Sequence, residues 1–118
     1  MASSFEDIIP VLTSMLTADE QSNGVLYAVG TVVPAGSQLK FPGITLPVPW
    51  DAFLAFIDRQ PLANWGHSAR YIIVNPQTRE ALSYETRLPP FQPGPGSGLL
   101  WKVLYKAPSV PDAVVHKQ

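Results

Sequence analysis

Residues 71–87 constrain the fold more than any other stretch. Tyr71-Ile72-Ile73-Val74 is an unbroken apolar run, and Asn75-Pro76-Gln77-Thr78 places asparagine and proline where a type I turn favours them. From Ala81 the chain alternates, with Leu82, Tyr84 and Thr86 on one side and Ser83, Glu85 and Arg87 on the other. This pattern predicts an inner strand, a tight turn and a return strand whose second face is wet or covered by something polar. One residue is out of place: Arg79 stands where a hairpin bulge would prefer glycine.

The flanking segments are short and punctuated by proline. Ser3 or Ser4, followed by Glu6 and Asp7, reads as a capped helix start. Phe5, Ile8, Ile9, Leu12, Met15 and Leu16 recur at helical spacing and predict an amphipathic helix of about four turns, with a kink or restart at Pro10. Residues 17–24 are polar and close that helix. Residues 24–33 are apolar on both alternating faces, as in a central strand, and residues 38–41 form a short returning strand after the turn signal Pro34-Ala35-Gly36-Ser37. Pro42, Pro47 and Pro49 keep the next stretch extended and out of any central sheet position.

Trp50, Phe53, Leu54 and Ile57 stand at i, i+3, i+4 and i+7 behind Pro49, and a helix is the preferred assignment, with a buried strand over residues 54–58 as the alternative. Residues 88–98 are a proline-glycine linker. Residues 99–106 form a last strand with Leu99, Trp101, Val103 and Tyr105 on one face and Lys102 and Lys106 on the other. The tail from residue 107 is expected to be mobile or to drape over the surface. Hairpins rather than βαβ crossovers predict an α+β fold: one small domain over residues 1–118, with an antiparallel sheet of about four to five strands and two helices packed on one face.

Charge narrows the function classes. Only 14% of residues are charged, against roughly 25% in an ordinary soluble domain. Part of the surface is therefore expected to meet a protein partner or a second copy, the alternative being a well-packed monomer with long uncharged loops. Residues 1–62 carry a net charge of -4 and residues 63–118 a net +3. Such a split points to attraction between the halves within one fold rather than to nucleic-acid binding. The absence of cysteine excludes disulfides and thiolate chemistry. No apolar run reaches the roughly 18 residues of a membrane span and no leader-like start is present, so a cytoplasmic location is the default expectation.

Asn64-Trp65-Gly66-His67-Ser68 is the most unusual segment. His67 within reach of Asp58 could form a general-base pair or a proton-linked switch, while the structural alternative is a tryptophan-anchored loop that satisfies buried backbone groups. Gly96-Ser97-Gly98 lacks the strand-to-helix setting of a nucleophile elbow, Glu80 and Glu85 point to opposite faces of their strand, and the two histidines, His67 and His116, are far apart in sequence. No cofactor or metal is expected. Arg70, Arg79 and Arg87 with Trp65, Tyr71 and Tyr84 could form a basic stacking surface. Pro90-Phe91-Gln92-Pro93 matches a PxxP pattern, as proline-rich linkers often do.

The expectation is a non-enzymatic binding module of immunity, inhibitor or adaptor type, using Trp65, His67, Arg70, Tyr84 and Arg87. Its competitor is a small-molecule binder or minor enzyme with His67 and Asp58 in a pocket between helix and sheet.

Overall fold

A computed structural model describes residues 4–41, 43–62, 68–87 and 99–115. Seven strands and two α-helices follow in the order α1 (Phe5–Ser14), α2 (Ala18–Asn23), β1 (Val25–Val29), β2 (Gln38–Phe41), β3 (Ile44–Pro47), β4 (Phe53–Asp58), β5 (Ala69–Val74), β6 (Ala81–Thr86) and β7 (Trp101–Lys106). Five of the strands make an antiparallel sheet in the order β6-β5-β4-β1-β7, and β2 and β3 pair only with each other. The fold is thus α+β and mostly sheet, as expected. Among the described residues no helix is long and apolar enough to cross a membrane.

α1 begins at a capping box in which the Ser4 hydroxyl accepts from the Asp7 amide and the Asp7 carboxylate accepts from the Ser4 amide. The helix continues through Pro10 without the restart that was one of the two outcomes expected there. A proline at the sixth helical position removes a single ladder donor and sits on the exposed face, while Ile8 and Leu12 keep the buried stripe intact. The break comes later, where the Thr13 and Ser14 hydroxyls turn back onto the Ile9, Pro10 and Val11 carbonyls. Residues 17–24 then start a second capping box, Thr17 with Glu20, so the polar stretch expected to end the helix instead forms α2. Gly24 follows because a Cβ there would lie 2.8 Å from the Glu20 carbonyl oxygen and 3.0 Å from that of Asp58.

The sheet is covered on both faces. Ile8, Leu12 and Leu16 pack on Leu26, Ala28, Phe53, Ala55, Ile57, Ile72 and Val74. On the opposite face Leu46, with Leu39, Phe41 and Ile44 of the β2-β3 hairpin, covers Tyr27, Leu54, Phe56, Tyr71 and Ile73. Phe41 stacks on Tyr71 with ring centroids 4.6 Å apart and an interplanar angle of 15°. Residues 53–58 are therefore a strand, not the preferred helix. Every side chain from Ala52 to Ile57 is buried, so one continuous apolar run satisfies helical spacing by accident and carries no period of its own. Both helices of the fold precede β1.

Two details of the hairpin and the last strand correct or sharpen the expected pattern. Arg79 does adopt the left-handed conformation of a bulge residue, with φ of 64°. In β7 the pairing register slips between Leu26 and Tyr27 of β1, which leaves Leu104 as the extra residue. The expected grouping of Tyr105 with Trp101 and Val103 breaks there. Tyr105 instead reaches the helix layer, where its hydroxyl donates to the Gln21 carbonyl, and Lys106 turns back to donate to the Val110 carbonyl at 2.6 Å. Residues 107–115 lie along the fold with Ala107 and Val110 buried, and the Ser109 hydroxyl donates to the Ser22 carbonyl.

Candidate functional site

Of the five residues expected to form a contact surface, Trp65 and His67 lie outside the described residues. Arg70, Tyr84 and Arg87 fall on β5, on β6 and just beyond it. Asp58, the expected partner of His67, is buried at the end of β4, where its Oδ1 accepts from the Gln60 amide at 2.9 Å. That bond shapes the bend after the strand.

Arg70 is absorbed into an ion cluster that sequence reasoning did not foresee. Glu20 is fully buried, although it sits in the first turn of a polar-looking helix. Its carboxylate accepts from Arg70 Nε at 3.0 Å and Arg70 Nη2 at 2.9 Å, from Arg59 Nε at 2.8 Å, and from the Thr17 amide at 2.9 Å. Arg59 in turn forks onto Glu85 at 2.6 and 3.0 Å, while Arg70 also donates to the Met15 carbonyl and the Ser83 hydroxyl. Burial alone would push the Glu20 carboxyl up, but the two guanidiniums and the Thr17 amide outweigh it and hold the group below the usual carboxylate range. The Arg59 fork likewise holds Glu85 low, and Glu85 holds the Arg59 guanidinium above its ordinary value. An acid from the negative half and a base from the positive half, Glu20 and Arg70, thus meet inside the fold.

The other two expected residues, Tyr84 and Arg87, mark β6. It is an edge strand, paired with β5 alone in the register Val74↔Ala81 to Ala69↔Thr86. The Asn75 amide donates to the Glu80 carbonyl at 2.8 Å. Alternation from that bond directs the backbone groups of Leu82, Tyr84 and Thr86 to β5, and those of Ala81, Ser83 and Glu85 outward. On the face away from α1, Leu82 and Tyr84 are half-buried against the core. Arg79 and Arg87, at either end of the strand, are exposed and make no ion pair among the described residues.

The other edge is built differently. β7 carries the bulge at Leu104, two lysines and the packed-down residues 107–115, all features that discourage further pairing. β6 has no proline, lysine or bulge.

A cleft of about 580 Å³ opens at the end of the sheet beside α2, bounded by Asp19, Arg59, Gln60, Leu62, Ser68 and Ser109. Among the described residues its cationic wall is Arg59, which is already engaged by Glu20 and Glu85. Among the described residues no three His, Asp or Glu side chains come together as a metal site would need. No family model, no curated protein and no solved structure matches the chain.

Proposed function

We propose that this protein is a non-enzymatic binding module that takes up an extended segment of a partner protein along β6. The observation that carries this reading is the regular edge of β6, which among the described residues pairs with β5 alone and whose outward groups at Ala81, Ser83 and Glu85 are a template for one more strand. Alternate side chains of an added strand would meet Leu82 and Tyr84 on one face and the Ser83-Glu85 row on the other, with Arg79 and Arg87 free to attract acidic residues at its ends. The low charge content fits a surface that is covered in use. The competing small-molecule or enzyme reading ranks second, because Asp58 is not among the described residues that bound the large cleft.

The test is Ser83→Pro read against Ser83→Ala: both lose the hydroxyl that accepts from Arg70, and only the proline also deletes the outward amide, leaving the backbone bonds to β5 in place. Tagged wild type and both variants are passed through the same affinity capture from the native host, after circular dichroism has verified equal folding. A protein retained by the wild type and the alanine variant and lost from the proline variant supports strand addition, and recovery of the chain itself identifies the added strand as a second copy. Retention that ignores the proline, or equal loss from both variants, contradicts the proposal.

A further inference from the structure

At the opposite end of the sheet from α2, the loops before β2 and before β4 and the β5-β6 turn converge on a second cleft of about 400 Å³. We infer that this cleft is a docking groove for a proline-rich segment of a partner, held in the polyproline II conformation with a basic residue beside it. The site is distinct from the β6 edge and goes beyond the strand-addition reading.

The groove has a rigid apolar lining. Trp50 is half-buried and lines the cleft together with Val32, Pro49 and Pro76. Its ring is anchored against the core beneath, so it enters the complex with little conformational freedom to lose. An indole and two prolines lining one cleft are the kind of apolar surface onto which the ridges of a polyproline helix, with three residues per turn, can pack.

The polar groups around this lining are mostly donors, and local bonding makes them so. Asn75 uses its Oδ1 to accept from the Gln77 and Thr78 amides, at 2.8 and 3.3 Å. Its Nδ2, the Gln77 side-chain amide and the Trp50 indole N–H make no hydrogen bond among the described residues. A polyproline helix exposes carbonyls with no internal donors, so a donor-rich apolar groove complements it.

Asp51 completes the set. Its Oδ1 accepts from the Ala35 amide at 2.9 Å, which fixes the carboxylate and leaves Oδ2 free. No basic side chain bounds the groove, so that negative charge is available to an arginine or lysine flanking the prolines.

The experiment follows the backbone and indole N–H resonances of the isotopically labelled chain. The probe is an acetylated peptide of three Ala-Pro-Pro repeats ending in arginine, compared with the same peptide ending in glutamate and with a Gly-Ser peptide of equal length ending in arginine. The Trp50 indole resonance is assigned with Trp50→Phe. The expected result is saturable movement of that resonance and of the residue 75–78 amides with the arginine-ended proline peptide. Trp50→Phe, which keeps a ring but removes the donor, weakens binding roughly three- to tenfold. Asp51→Asn keeps the Ala35 bond and removes the preference for arginine over glutamate. An indole signal unmoved at millimolar peptide, equal response to the Gly-Ser peptide, or shifts at Ala81–Glu85 in place of residues 75–78 would each overturn the inference. So would a groove that answers to maltotriose and not to the proline peptide.

Discussion

Replacing Glu20 by alanine should cost far more than its place in a polar helix suggests. The carboxylate is fully buried and receives three guanidinium hydrogen bonds and one amide hydrogen bond. Its removal leaves Arg70, whose side chain is only 11% exposed, with the Met15 carbonyl and the Ser83 hydroxyl but no counter-ion. Arg59 fares better, since it keeps its fork onto Glu85. Breaking a buried pair from one side typically costs about 3–5 kcal/mol, and the partial rescue of Arg59 places this case near the lower end, about 3 kcal/mol. Against a total stability of roughly 5–15 kcal/mol that is a large fraction, visible as a lower urea midpoint at unchanged slope. Glu20→Leu combined with Arg70→Leu should be less damaging than either single change, because no uncompensated charge is left inside. A Glu20→Ala cost under about 1 kcal/mol, the range of exposed ion pairs, would refute the claim that this cluster is buried and structural.

Three further outcomes are expected. Because the Glu20 and Glu85 carboxyls have folded-state pKa values below their ordinary ones, their stabilisation is fully present above the usual carboxylate range and is lost as pH falls through the lowered values; urea midpoints measured from neutral to strongly acidic pH should decline there, and Glu20→Gln should flatten the decline. Arg79→Gly should stabilise the hairpin by up to about 1 kcal/mol by relieving a left-handed residue with φ of 64°, and a thermal melt that falls instead would show that the arginine side chain has a compensating role. Tyr71→Phe should be neutral or mildly stabilising, since among the described residues the buried hydroxyl has no hydrogen-bond partner while its ring packs against Phe41 and Phe56; a loss above about 1 kcal/mol by denaturant titration would reveal a partner for that hydroxyl.

Local chemistry alone determined a good part of this protein. The 71–87 hairpin, the glycine-like position of Arg79, the capped start at Ser4 and the fully apolar β1 were all legible, because turn residues, caps and side-chain alternation act within a few positions of themselves. Tertiary structure decided the rest. Residues 53–58 contain both a helical and a strand spacing, and only the presence of β1 on one side and β5 on the other, with apolar layers above and below, makes the strand the better solution. The bulge that turns Tyr105 toward α2 depends on how β7 meets β1, which no residue of β7 announces. Glu20 shows the same limit most clearly. The spacing Thr17-Ala18-Asp19-Glu20 is readable as a capping box, but the burial of Glu20 arises because Arg59, just past the end of β4, and Arg70 of β5, 39 and 50 positions away, converge on it. Burial of a charge is set by the sum of long-range neighbours, and that sum exists only once the sheet has closed over it.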